Sequence, residues 1–194
     1  MKVGVFGGAF DPPHNGHVAL VKGALETLGL GRVLVVPAAD PPHKMVATSA
    51  SVRAGLTELA FAGISRVELS PVELEPGGPR YTVDTLRLLR GSYADLTLLV
   101  GSDQFAAFPT WRDPNEILEL AQLGVASRPG QDESEFRPVL AGLTHPERVV
   151  FFAIPPYPVS SREIRSRVRK GLPIEDLVPR AVAEEIGRLG LYRE

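Results

Sequence analysis

VGVFGGAFDPPHNGH, residues 3–17, passes from an apolar run directly into a stretch of glycine, proline and histidine. The apolar part, Val3 to Phe6, has the composition of a strand buried on both faces, and such strands belong to parallel sheets covered by helices. The glycine- and proline-rich part is long for a connection between strand and helix. Beyond it Val18, Val21, Leu25 and Leu28 repeat at three- and four-residue steps, the spacing of a helix with one apolar face. A strand, a long loop and a helix in that order point to an α/β protein whose first loop carries something other than a turn.

The rest of the chain repeats the alternation. Runs rich in Val and Leu recur at Val33 to Val36, Val67 to Leu74, Leu96 to Val100, Leu123 to Ala126 and Val149 to Ile154, and each is predicted as a strand. Val83, Leu86 and Leu89 mark a helix, and Asp113-Pro114-Asn115-Glu116 supplies an N-cap, a first-turn proline and a following acid, so another helix is predicted to begin there. The pattern predicts a Rossmann-like, doubly wound, mostly parallel sheet, in which ligands bind outside the carboxyl ends of the strands. After Ile154 the pattern changes to PPYPVSSREIRSRVRKG, a proline-rich turn and a basic helix, and Pro179 opens a final amphipathic helix through Ala183, Ile186 and Leu189. With no linker or repeat, residues 1–194 are expected to form a single domain whose C-terminal part, about 158–194, is helical.

Composition excludes several classes of function. The net charge of −2 provides no general footprint for a nucleic-acid backbone, although local basic clusters can still hold phosphate. The absence of cysteine removes disulfides, thiolate metal sites and a cysteine nucleophile. No segment approaches the ~18 consecutive apolar residues of a membrane span, and the first residues lack a charged leader with a long apolar region, so a cytoplasmic protein is expected. Arginine outnumbers lysine 17 to 4 and there are 18 prolines. Base composition and a hot habitat both produce that bias.

Two of the four histidines fall within the opening stretch. Gly7 and Gly8 lack a Cβ, so backbone N–H groups there can approach an anion closely. His14 and His17, three apart at a helix N-terminus, can both face a bound phosphate, where helix amides favour negative charge and imidazoles can donate to phosphoryl oxygens. Helix capping by one histidine and core packing of the other is the plain structural alternative, and a zinc site would need further ligands. GxGxxG and GxxxxGK[ST] are both absent, which removes the usual dinucleotide and ATPase phosphate loops.

GGAFDPPHNGH resembles the GGxFDPxHxGH signature of the nucleotidyltransferase superfamily, which shares HxGH with class I aminoacyl-tRNA synthetases. The chain has neither a KMSKS-like loop nor the length of a synthetase. Val159-Ser160-Ser161-Arg162-Glu163-Ile164-Arg165 is similar to the family's ISSTxIR element, with Arg162 standing where the family has Thr and exchanging a hydroxyl for a cation. Pro41-Pro42-His43-Lys44, Arg80-Tyr81-Thr82-Val83-Asp84-Thr85-Leu86, Gly101-Ser102-Asp103 with Trp111, and Arg128-Pro129-Gly130 resemble the PPHK, SYTxDTL, GxDxxxxxxxW and RPG elements of bacterial nicotinate mononucleotide adenylyltransferases, Arg80 replacing the family's Ser. The likeness extends from Lys2 to Tyr192.

The resemblance implies transfer of AMP from ATP to nicotinate mononucleotide, giving nicotinate adenine dinucleotide and pyrophosphate. It implies His14, His17 and Arg165 as catalytic residues, and Gly7, Gly8, Phe10, Gly101, Asp103, Ser160 and Ser161 as further ATP contacts. Lys44, Tyr81, Thr82, Asp103, Trp111 and Arg128 would meet nicotinate mononucleotide, Trp111 by stacking on the pyridine ring. Mg²⁺ is expected to arrive with ATP, with no metal site made wholly of protein ligands, no nucleic-acid or membrane partner, and a possible homo-oligomer. A preference for nicotinamide mononucleotide or another phosphorylated acceptor, and a non-catalytic nucleotide-binding regulator, are the alternatives.

Overall fold

The computed structural model describes residues 1–41, 45–127 and 133–193. The six apolar runs form β1 (Val3–Gly8), β2 (Arg32–Pro37), β3 (Val67–Leu69), β4 (Leu96–Gly101), β5 (Gln122–Ser127) and β6 (Val149–Ala153). They build one sheet in the order β3-β2-β1-β4-β5-β6 with every neighbouring pair parallel. β3 is shorter than the apolar run Val67 to Leu74. Ser70 N–H still donates to the Val35 carbonyl (2.8 Å), but Pro71 has no N–H to continue the ladder, and its carbonyl accepts from Leu74 N–H (2.7 Å) as the chain turns away.

The helices are α1 (Asn15–Thr27), α2 (Ala50–Phe61), α3 (Thr82–Arg90), α4 (Ser102–Ala107), α5 (Pro114–Leu120), α6 (Arg137–Ala141), α7 (Ser161–Arg169) and α8 (Arg180–Leu189). α5 begins where expected but for a different reason. Asp113 adopts a left-handed backbone (φ 50°) and its side chain caps nothing, while Glu116 turns outward to Arg87 at 2.6 and 2.7 Å.

Each face of the sheet has its own core. Phe6, Val33, Val35, Leu99 and Phe152 meet α1, α2, α7 and α8 through Val21, Leu56, Ile164, Val182 and Ile186. Val3, Val5, Leu34, Leu98 and Val125 meet α3, α4 and α5 through Leu86, Phe105, Ile117 and Leu118. Alternate residues of a strand point to opposite faces, so continuous apolar strands are what two covered faces require. Gly4 sits on the first face, where a Cβ would lie 2.9 Å from Leu30 Cδ1 and Val33 Cγ2. Gly4→Ala is expected to lower stability by about 1–3 kcal/mol through overpacking. A lower urea midpoint at unchanged m value is the readout.

The strand order reverses direction at β1 and β4. From β1 the chain leaves to α1 on one face, and from β4 to α4 on the other. Between the diverging connections a crevice opens at the carboxyl ends of the two strands, where Gly7, Gly8 and Gly101 stand.

Candidate active site

The crevice encloses about 820 Å³, a volume suited to a small-molecule ligand. Its floor is the end of β1. A Cβ on Gly8 would fall 2.8 Å from the ring of Phe10, so glycine there lets Phe10 fold back over the strand end. Phe10 is buried with φ 49°, in the left-handed region. That conformation costs a residue with a Cβ about 1–2 kcal/mol, and packing offsets it. The ring meets Phe6 at 5.5 Å, Phe61 at 6.4 Å and, edge to face, His17 at 5.1 Å.

His14 is the N-cap of α1, with an extended backbone, and His17 is the third helical residue. Because His14 lies outside the helix, the two rings stack, with centroids 3.6 Å apart and planes 16° from parallel. The His14 backbone N–H donates to His17 Nδ1 at 3.1 Å. An imidazole nitrogen that accepts carries no proton, so neutral His17 holds its proton on Nε2 and presents a donor there. His17 thus joins the capping of α1 through Nδ1, which in the neutral ring leaves Nε2 as the nitrogen that carries the proton. A Cβ on Gly16 would lie 3.1 Å from His14 Nδ1, so glycine at that position keeps space for the stacked pair.

The distant SSREIR element comes to the same place. Ser160 caps α7 by accepting from Glu163 N–H at 3.2 Å. Ser161 Oγ donates to the Pro12 carbonyl (2.8 Å) and Arg165 Nη1 to the Asp11 carbonyl (2.6 Å), so α7 docks on the histidine loop directly. Ser160, Ser161, Arg162 and Arg165 all line the crevice beside His14 and His17.

The opposite wall carries the remaining expected residues. Gly101 is the N-cap of α4 and Asp103 stands in its first turn; Tyr81 is the N-cap of α3 and Thr82 its first residue. Trp111 is half-buried, packs on Phe108 at 5.5 Å and is among the residues lining the crevice, and the Arg112 guanidinium lies 4.6 Å over the Tyr81 ring. Lys44 and Arg128 lie outside the described residues. Every other residue expected to contact ATP or the acceptor borders this one crevice.

Several residues that hold the site went unassigned in the sequence. Asp11, 3% exposed, accepts from Ala47 N–H (2.6 Å), Thr48 Oγ1 (2.8 Å) and the Tyr192 hydroxyl (2.8 Å). Arg53, fully buried, donates to the carbonyls of Ala38 (2.6 Å), Ala9 (2.7 Å), Ala39 (2.8 Å) and Thr48 (3.3 Å). Burial lowers its pKa from the usual guanidinium range, an effect opposed by Asp11 nearby. Glu73 lines the crevice beside Tyr81 and Thr82 and accepts from Thr85 Oγ1 at 2.7 Å. Burial raises its carboxyl pKa, and the threonine hydroxyl pulls the other way. Arg53 did leave a signal, because it falls on the buried stripe of α2 with Leu56, Thr57 and Ala60. Asp11 and Tyr192 are 181 residues apart and left none.

Among the described residues no three histidine or carboxylate side chains converge as metal ligands, and no helix is long and apolar enough to cross a membrane. The crevice is lined by imidazole, guanidinium and backbone groups, which can donate hydrogen bonds to phosphate oxygens.

Comparison with known proteins places the chain. Residues 5–167 match the Cytidylyltransferase-like family. A protein of Thermomicrobium roseum named "Probable nicotinate-nucleotide adenylyltransferase" is 42% identical over 99% of this chain and 92% of its own length. A protein of the same name from Thermus thermophilus is 40% identical over the full length of both. Among solved structures, Plasmodium falciparum nicotinic acid mononucleotide adenylyltransferase complexed with NaAD superposes with a TM-score of 0.80 at 19% identity, covering 98% of this chain and 97% of that one. The same enzyme complexed with APC gives a TM-score of 0.78 at 18% identity, covering 98% and 96%.

Proposed function

The chain belongs to the Cytidylyltransferase-like family and, within it, to the nicotinate-nucleotide adenylyltransferases, and from that premise we propose how its crevice works. The chain transfers AMP from ATP to nicotinate mononucleotide, giving nicotinate adenine dinucleotide and pyrophosphate. The observation that carries the assignment of roles is the meeting of the stacked histidines with the N-terminus of α7 at the strand-order reversal.

ATP lies with its triphosphate between these two elements. The backbone of Gly7, Gly8 and Phe10 approaches it from the end of β1, His14 and His17 donate to its phosphates, and Ser160, Ser161 and Arg165 hold the β and γ groups. Gly101 and Asp103 meet the adenosine or the acceptor's ribose. Nicotinate mononucleotide occupies the far wall, against Tyr81, Thr82 and Trp111, with Lys44 and Arg128 as further acceptor contacts. A 5′-phosphate oxygen of the acceptor attacks the α-phosphorus in line, a new P–O bond forms, and the bond to the β-phosphate oxygen breaks. The attacking oxygen is already anionic, so no general base is needed. The charge developing on the phosphoryl oxygens is met by the Nε2–H of His17, fixed in that tautomer before substrate arrives. Mg²⁺ bound with ATP would supply neutralisation of the triphosphate charge, while His14, His17, Ser160, Ser161 and Arg165 would hold the phosphates themselves.

Two measurements test the roles. Pyrophosphate release with nicotinate and nicotinamide mononucleotides should show the larger kcat/KM for the acid; a larger value for the amide contradicts the acceptor assignment. Trp111→Ala should raise KM for the mononucleotide about tenfold, the loss of one aromatic stacking contact, and leave KM for ATP nearly unchanged. Equal loss for both substrates would make Trp111 a packing residue only.

A further inference from the structure

We infer that Tyr192 is a positioning residue for this reaction: reaching back from the end of the chain, its hydroxyl sets, through Asp11, the loop that carries the two histidines. The inference rests on the reaction proposed above. The Tyr192 hydroxyl donates to Asp11 Oδ1 at 2.8 Å, and both residues are buried. The same oxygen accepts from Thr48 Oγ1 (2.8 Å), and Oδ2 accepts from Ala47 N–H (2.6 Å). The carbonyls of Asp11 and Pro12 are taken by Arg165 and Ser161. Residues 11–12 are thus fastened from three separate segments, of which Tyr192 is the most distant in sequence.

Two features suit Tyr192 to positioning rather than to filling space. Its backbone has φ 62°, a left-handed conformation that a residue with a Cβ keeps only where its surroundings over-determine it. The chain is turned toward Asp11 by Gly190, also at φ 62°, which caps α8. Burial, and then the adjacent carboxylate, hold the phenol protonated, so it remains a donor. Between Asp11 and His14 lie only Pro12 and Pro13, whose rings fix φ and leave little slack in the backbone. A shift at Asp11 therefore passes to His14, and from the His14 N–H to Nδ1 of His17.

Tyr192→Phe removes the hydroxyl and nothing else. Its kcat should fall about tenfold, since small misplacements of a reacting geometry are costly, while KM for each substrate stays within about twofold. Nitrogen-15 NMR of the imidazoles should show His17 as the Nε2–H tautomer in the wild type and moved from that pattern in the variant. Thr48→Val, which removes the other hydroxyl from the same carboxylate oxygen, should shift kcat in the same direction, and the double variant should fall short of the product of the two losses. Wild-type kcat with wild-type imidazole signals in Tyr192→Phe overturns the inference, even if its Tm drops. If Tyr192→Phe does not fold, Thr48→Val decides by the same two readouts. Should the wild type release no pyrophosphate, the assigned reaction fails, and the imidazole tautomer alone then decides the positioning role.

Discussion

Replacing His17 with alanine should lower kcat by about 10²–10³-fold, the usual consequence of removing one preorganised donor to a transition-state oxyanion, with little change in KM for ATP. The size of the effect follows from geometry. His17 stands edge-on to Phe10, stacks on His14, and has its Nδ1 occupied by the His14 N–H. Its Nε2–H is therefore oriented before substrate arrives, and no reorganisation is required when charge develops. Two further variants separate donation from capping. Asparagine can place an acceptor where Nδ1 is, and glutamine can place a donor where Nε2 is. Glutamine should recover part of kcat and asparagine should not. Recovery by asparagine alone would make the cap the essential function, and a rise in KM without a fall in kcat would make His17 a ground-state binding residue.

Arg53→Met should cost about 3–5 kcal/mol of stability, because it takes a buried, charged donor away from four carbonyls of half-buried residues. Those carbonyls belong to Ala9, Ala38, Ala39 and Thr48, so one guanidinium ties the loop after β1 to the loop after β2 and to the start of α2. Methionine fills much of the same volume, which isolates the polar loss from a cavity effect. Lysine should rescue little, since a point charge cannot reach three strand-end carbonyls at once. The urea midpoint reads the change, and a loss below about 1 kcal/mol would mean that water replaces the guanidinium.

The sheet was legible in the sequence because its strands are buried on both faces and show as unbroken Val and Leu runs. β3 was overestimated for a local reason: Leu74 is apolar but lies beyond Pro71, in a turn. The start of α5 was read correctly from Asp113-Pro114, whereas the side-chain cap is absent because Asp113 adopts a left-handed backbone and Glu116 has a stronger partner in Arg87. The crevice-lining residues singled out in the sequence were legible because they fall in short contiguous motifs. Asp11 and Glu73, which line it too, and the buried support of the site were not. Asp11 is held by Ala47, Thr48 and Tyr192, and Arg53 by loops up to 44 residues away; pairings of that range leave no periodic trace. Asp11 orders the histidine loop by drawing in Tyr192, 181 residues away.

On the proposed roles, one loop carries both capping and chemistry. His14 and His17 satisfy part of the α1 N-terminus between themselves, and α7 secures the Asp11 and Pro12 carbonyls from the other side. The loop is therefore set before a triphosphate enters, which is the condition under which hydrogen-bond donors stabilise a transition state most effectively.

Adenylyl transfer is tested most directly by following ATP labelled at the α-phosphorus through turnover with nicotinate mononucleotide and Mg²⁺. The expected result is quantitative transfer of the label to nicotinate adenine dinucleotide, one unlabelled pyrophosphate released for each dinucleotide formed, and no label on the protein. Label retained by the protein, or appearing as free AMP without dinucleotide, would contradict in-line transfer between two nucleotides held in this crevice.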